Sequence, residues 1–323
     1  MYDLHYDLLT YVFMNRYNLK EVKKHCKKIF NNNITGGIFN LFYMSPKEMK
    51  EELGIEKEEI NIIENLEVVN KIIEKNELIP KSIKCIYGIE GLDYLEKIED
   101  IDKIYDLGVR SVNIVWNNDN KFGGGAKGNK NRGLTNLGKE LVIKLIDRKI
   151  AIDLSHANEK TFYDIVELCE NLKSNGKDAI IFVSHSNVKS ICDHPRNLSG
   201  EQISKIKELD GVIGVVGVKP FCVGGASHRA QQITRKNAKY QKAYVEHIKY
   251  LKNILGGIDN ISVSTDDMTY YKVNKRYYKH FNVFKHDRVK KDLENLLLDN
   301  DFTKSEVEKI LCKNFENKIL QRL

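Results

Sequence analysis

Residues 3–9 read Asp-Leu-His-Tyr-Asp-Leu-Leu (DLHYDLL). On a β-strand, side chains alternate between faces with period two. Asp3, His5 and Asp7 then share one face, and Leu4, Tyr6 and Leu8 the other. A polar strand face of this kind either meets solvent or lines a site, and this stretch alone leaves both readings open. The rest of the chain decides, because an apolar run that closes on a histidine or an acid recurs along it.

Short β-branched runs predict strands over Tyr2–Asp7, Gly36–Tyr43, Ile83–Glu90, Val109–Trp116, Ala151–Ser155, Ala179–His185, Val212–Val218 and Ile261–Asp266. Amphipathic, charge-rich segments lie between them, such as SPKEMKEELGIEKEEINIIENLEVVNKIIEKN from Ser45 and NEKTFYDIVELCENL from Asn158. Ser45 before Pro46 marks one helix start, and Ser199-Gly-Glu-Gln has the form of a capping box. Strands with continuous apolar cores, alternating with helices, predict an α/β protein: a parallel (β/α)8 TIM-like barrel with C-terminal helices. A doubly wound open sheet is the alternative. No linker rich in Pro, Gly or Ser divides the chain, so residues 1–323 are read as a single domain.

On those strands the polar residues fall at one end. His5 and Asp7 close the first, Glu90 the third (YGIEG) and His185 the sixth (IIFVSHSN); His156 follows the fifth (AIDLSHA), and Asp266 closes the eighth. Barrel enzymes build their sites at the carboxyl ends of the strands, so these six side chains converge on one mouth. Three imidazoles with three carboxylates suit zinc better than calcium or magnesium, which take all-oxygen shells. The set is too large for one tetrahedral catalytic ion. It fits two zinc ions, with one carboxylate bridging, that generate hydroxide near neutral pH and polarise a carbonyl or phosphoryl oxygen.

Composition narrows the class. The chain of 323 residues is 41% hydrophobic and 30% charged, the balance of a globular protein. No apolar run approaches the roughly 20 residues that span a bilayer, and the acidic N-terminus lacks the form of a secretory signal. A cytoplasmic protein without a membrane anchor is expected. The cysteines (Cys26, Cys85, Cys169, Cys192, Cys222, Cys312) form no CxxC pair, which argues against a disulfide framework or a thiolate zinc site. The net charge of +7 and the stretch KRYYKHFNVFKHDRVKK from Lys275 invite a nucleic-acid reading. Lysine is spread along the whole chain among glutamates, so no nucleic-acid partner is expected. The glycine-rich loop Gly123–Gly133 (GGGAKGNKNRG) lacks the end of a P-loop and is read as a flexible lid.

These motifs in order resemble one known family. H-x-D near the start, then IEG, DLSH, SHSN with HPRNLSGEQI, and GIDNISVSTDD resemble the membrane (renal) dipeptidases, zinc peptidases of the amidohydrolase superfamily with a β/α barrel fold. The resemblance runs from residue 2 to about residue 267. It implies that His5 and Asp7 hold one zinc, that His156 and His185 hold the other, and that Glu90 bridges them. It makes Asp266 the acid–base aspartate and matches Arg196 and Asn197 to the family's RN pair, whose arginine binds the substrate's free carboxylate. A guanidinium offers a carboxylate a planar fork, so that role is chemically apt.

Two departures stand out. Where the best-known members place a substrate-contacting histidine after the fourth strand, VNIVWNNDNKFGGG places Trp116, an indole that cannot take up a proton. The family's GSDFDG is here VSTDDMT, which sets Asp267 beside Asp266; strand alternation favours Asp266 as the catalytic one. The expected activity is a dipeptidase acting on small dipeptides through a metal-bridging hydroxide, with the C-terminal residue of either configuration. N-acyl amino acid deacylation and a metal-retaining binding protein are the alternatives, and a homodimer is left open.

Overall fold

The computed structural model describes residues 1–31, 34–43, 50, 60–224, 238–267, 282–284 and 288–323. Eight parallel strands run through it: β1 Tyr2–Tyr6, β2 Gly36–Phe42, β3 Lys84–Glu90, β4 Val109–Asn113, β5 Ala151–Asp153, β6 Ile181–Phe182, β7 Ile213–Val216 and β8 Ile261–Ser264. β1, β2 and β5 to β8 are buried along their whole length, as strands covered on both faces must be.

The hydrogen-bonded order is β1-β2-β3-β4-β5-β6 in one sheet and β7-β8 in a second. A strictly sequential order has no reversal point, so a doubly wound sheet is excluded. The ladder expected to join all eight strands thins at two places. Between β6 and β7 it is reduced to Val183 N donating to Val212 O (2.9 Å), Gly214 N to Val183 O (2.7 Å) and Ser186 N to Gly214 O (3.1 Å). Between β8 and β1, Asp266 N donates to His5 O at 3.1 Å and Thr265 N to the Asp3 carboxylate at 2.9 Å.

Several strands end earlier than their sequence suggests. β4 stops at Asn113 rather than Trp116, β5 at Asp153, β6 at Phe182 and β8 at Ser264. At β5 and β8 the cause is local: the backbone turns left-handed at His156 (φ 71°) and Asp266 (φ 44°), which breaks the pleat. β1 also departs from simple alternation. Its pairing with β2 slips between Asp3 and Tyr6, so one extra residue bulges out, and Asp7 lies beyond the strand at the start of the helix Leu8–Met14. Gly37 allows the close approach there, because a Cβ would meet Asp3 O at 1.9 Å and φ is 132°. Asp3, His5 and Asp7 are all buried (0%, 1% and 1% exposed), which excludes the solvent-facing reading of the first strand.

Helices between the strands are fixed by their caps. Asn61, Thr135 and Asn158 each accept from backbone N–H groups of the first turn, and Ser199 and Gln202 form the predicted capping box. The helix start at Ser45-Pro46 lies outside the described residues, as does most of the basic stretch from Lys275. No described helix is long and apolar enough to cross a membrane.

The C-terminal turns, including Glu316–Leu320, close the end of the strands opposite the polar residues. Phe315 and Ile319 pack with Tyr2, Leu4, Ile38, Ala151, Ile180, Phe182 and Val212. Asn314 Nδ2 donates to Ile258 O and Ile261 O at 2.6 and 2.8 Å, tying this cap to the start of β8. Phe315 is fully buried, with its ring edge-on to Tyr2 at 6.0 Å. Phe315→Ala is expected to cost about 3–5 kcal/mol through lost burial and the cavity left behind. Chemical denaturation of the two proteins, followed by far-UV circular dichroism, measures that difference.

Candidate metal centre

The polar strand ends meet around one carboxylate. Glu90, the last residue of β3, directs Oε2 at His5 Nε2 (3.3 Å) and Oε1 at His156 Nε2 (2.8 Å) and His185 Nε2 (3.5 Å). His156 and His185 face each other, Nε2 to Nε2, at 2.8 Å, and Asp7 Oδ1 lies 3.5 Å from His5 Nε2. His5, Asp7 and Glu90 form one close group of potential ligand atoms, and Glu90, His156 and His185 form another. All five residues are buried. The structure thus gathers His5, Asp7, Glu90, His156 and His185 where the sequence predicted convergence.

Each imidazole is held from behind. His156 Nδ1 lies 3.0 Å from the Asn117 amide oxygen, His185 Nδ1 lies 2.5 Å from Ser184 Oγ, and His5 Nδ1 lies 3.0 Å from the Asn40 amide. Turning the Asn40 amide, whose two ends are alike in shape, lets its oxygen accept from His5 Nδ1–H. All three rings then present Nε2 inward, as metal-ligating histidines do when the other nitrogen is hydrogen-bonded. His5 Nε2 is buried and has no hydrogen-bond partner, although a buried polar atom left so costs about 1–3 kcal/mol. A cation at that atom would remove the cost, and the donor set of imidazoles and carboxylates fits zinc.

The electrostatics agree. Burial alone would raise the Glu90 carboxyl, yet the surrounding His5, His156 and His185 rings hold it well below the usual carboxylate range. Burial lowers His156 to about 3 and drives His185 well down, so both rings are neutral and free to donate lone pairs. For Asp266, burial raises the carboxyl to about 7, with His5 and Arg196 opposing and Glu90 and Asp7 reinforcing. Asp266 therefore stands within electrostatic reach of the cluster.

Arg196 is buried at 4% exposed, beside the cluster, with Nη2 donating to His185 O at 3.4 Å. Its Nε has no hydrogen-bond partner, and burial lowers the guanidinium to about 10. Asn197 commits its amide to the chain: Nδ2 donates to Cys192 O and Phe221 O, both at 2.9 Å, and Oδ1 accepts from Asn187 N at 3.1 Å. Its side chain fixes the loop that carries Arg196. Trp116 is half-buried, its indole 5.1 Å from the Phe42 ring and 5.8 Å from the His156 ring.

The glycine-rich segment is not a loose lid. Gly125 pairs with Ala157, Ala126 N donates to His156 O at 2.7 Å, and Asn158 Nδ2 donates to Asn129 O and Arg132 O at 2.9 Å. A Cβ at Gly125 would lie 2.4 Å from Trp116 O, so the glycines serve close packing against the site rather than hinge motion.

The supporting residues Asn40, Asn117 and Ser184 escape a search for strand-end histidines and acids, and Asp153 escapes it because the predicted strand runs on to Ser155 while β5 ends at Asp153. Their signal is weaker: a polar residue inside an apolar run, as in GGIFNLF and IIFVSH. His247, on the helix Ala238–Leu255, gives no sequence signal. Its Nδ1 accepts from Val188 N and its Nε2–H donates to Cys222 O, both at 3.1 Å, clamping the loop after β6 to the turn after β7.

The family model for membrane dipeptidases (Peptidase family M19) matches residues 1–320, and the chain belongs to that family. A Klebsiella pneumoniae protein encoded in the pqqA 5′ region is 33% identical over 193 residues, covering 58% of this chain and 65% of the relative. An uncharacterized dipeptidase of Schizosaccharomyces pombe is 30% identical over 59% of this chain and 43% of its own. The chain thus spans less than two thirds of the length of these curated relatives. Among solved structures, a metallo peptidase from Rhodobacter sphaeroides, liganded with a phosphinate mimic of the dipeptide L-Ala-D-Ala, superposes with a TM-score of 0.72 at 19% identity, over 100% of this chain and 99% of that one. A dipeptidase described as an M19 metallo peptidase gives 0.70 at 18% identity, over 98% of both chains. At such identities the likeness is one of fold.

Burial lowers His247 from 6.5 to about 4. Between those values the unfolded chain binds the proton and the folded one does not. The stability from this group is therefore complete above pH 6.5 and is lost as pH falls toward 4. At 1.36 kcal/mol per pH unit the loss is about 3 kcal/mol. His247→Gln removes the titration, so the stability difference between the two proteins should narrow by about that amount between about pH 7 and pH 4. Denaturant titrations at the two pH values measure it.

Proposed function

We propose that the protein is a two-zinc dipeptidase that hydrolyses small dipeptides bearing a free C-terminal carboxylate, its eight strands acting as one barrel. One observation carries the reading: Glu90 belongs at once to two close three-residue groups, one with His5 and Asp7, the other with His156 and His185. In this reading each group would hold one ion, with Glu90 common to both. Bound there, zinc supplies an activated water and a Lewis acid for the scissile carbonyl.

The chain's own residues supply the rest. Arg196 is a buried cation with an unpartnered Nε, and a substrate carboxylate would satisfy it with charge-assisted hydrogen bonds. Asn197 holds the Arg196 loop in place. Asp266 lies within electrostatic reach of His5, Glu90 and Asp7, and cations bound there would keep it ionised at rest, ready to take a proton from the attacking water and return it to the departing amine. Trp116 and Phe42 form an aromatic wall beside His156 that excludes water and favours apolar substrate side chains. The phosphinate mimic of L-Ala-D-Ala held by the Rhodobacter sphaeroides protein supports a substrate of the same size, with a D residue accepted at the C-terminal position.

Zinc-loaded protein is expected to cleave L,L- or L,D-dipeptides and to leave N-acetyl amino acids intact; turnover of the latter alone contradicts the reading. Amidating the substrate's C-terminus and replacing Arg196 by Met should each cost on the order of 2–5 kcal/mol in kcat/KM. The two losses should not add, since each removes the same contact. Additive losses would place Arg196 elsewhere in the reaction.

Asp266→Asn should lower kcat by roughly 10²–10⁴ while zinc content stays unchanged. Asp267→Asn, at the next position along the chain, should have a far smaller effect. Steady-state kinetics with elemental analysis of both variants checks the assignment.

A further inference from the structure

The Asp153 carboxylate is buried and has no part in the reaction proposed above. It ends β5, where Oδ1 accepts from Ser155 N and Ser184 N, each at 2.9 Å, and Oδ2 accepts from the Ser184 hydroxyl. A serine hydroxyl carries one proton. With that proton given to Asp153, Ser184 Oγ offers only lone pairs to His185 Nδ1, 2.5 Å away. The hydrogen bond then forms only if His185 Nδ1 carries the proton. The same oxygen lies 3.4 Å from His5 Nδ1.

We infer that Asp153 and Ser184 are positioning residues of the metal centre, which lock His185 as the Nδ1–H tautomer and leave Nε2 as its ligand atom. The inference rests on the metal reading of the site. Asp153 also lies close to His5 and His185 in a third group of potential ligands, so direct coordination is the competing role. Two features oppose it. The ring nitrogens turned toward Ser184 are both Nδ1, already engaged by Ser184 and Asn40. The Asp153 oxygens, for their part, already accept from three donors.

The arrangement also sets the three histidines apart. Neutral amides back His5 and His156, whereas an anion backs His185 through one hydroxyl. A carboxylate behind an imidazole raises its basicity as a ligand, and losing such a partner typically costs 10–100-fold in metal affinity.

Two readouts test the inference on the full-length protein loaded with zinc. Imidazole ¹⁵N NMR, assigned through a His185→Gln variant, should show His185 protonated on Nδ1 with zinc on Nε2. Competition with a chromophoric chelator should show Ser184→Ala holding zinc about 10–100-fold more weakly. Ser184→Gly, which also removes the hydroxyl and adds no metal-binding group, serves the same purpose if the alanine variant does not fold. Zinc on His185 Nδ1, or serine variants that hold zinc as tightly as the unchanged protein, overturns the inference and leaves the dipeptidase reading standing. An unchanged protein that takes up no zinc overturns both.

Discussion

Three buried imidazoles share the Glu90 carboxylate, and at that contact the ends of β1, β3, β5 and β6 meet. Asp7 and Glu90 are buried and Asp266 stands within their electrostatic reach, with the Arg196 guanidinium acting on both Asp266 and Glu90. Removing such charges from solvent costs several kcal/mol per ion unless opposite charge lies close by. Against its burial, Glu90 and Asp7 hold His5 well above the usual imidazole range, so that ring supplies one positive charge, while the neutral His156 and His185 supply none. A pair of divalent cations would supply more, and the inward Nε2 atoms with the unpartnered His5 Nε2 lie where such ions would bind.

Holding that cluster together falls to the frame. Asp3, the other acid of the first strand, accepts from Thr265 N and Thr265 Oγ at 2.9 and 2.5 Å and from His5 N at 3.2 Å. Burial raises its carboxyl to about 6 despite those bonds. It joins β1 to the end of β8 immediately beside His5 and Asp266, where the strand ladder is thin. At the opposite end, Phe315 and Ile319 fill the space between the strand starts. The polar and apolar ends of the strands therefore have separate duties, chemistry at one and packing at the other.

Much of this was legible in the sequence because the two duties leave different marks. Continuous apolar runs announce buried parallel strands, and a histidine or acid at the end of each announces a mouth. Geometry that depends on one residue's backbone was not legible. The bulge between Asp3 and Tyr6, the left-handed turns at His156 and Asp266 and the cap position of Asp7 all break the alternation from which faces were assigned. Glycine content misled at Gly123–Gly133, where the small residues permit close packing against Trp116 and Asn158 rather than motion. The backing partners of the histidines were also missed, since an asparagine within a strand carries no chemistry by type until its ring neighbour is known.

In the dipeptidase proposed above, Glu90 would stand between two metal ions. Anomalous diffraction at the zinc edge, on crystals of the zinc-loaded protein, tests it most directly. Two peaks about 3.5–4 Å apart are expected, one flanked by His5 and Asp7, the other by His156 and His185, with a Glu90 oxygen toward each. A single peak, or a peak bound by Asp153 with Glu90 left aside, would contradict it.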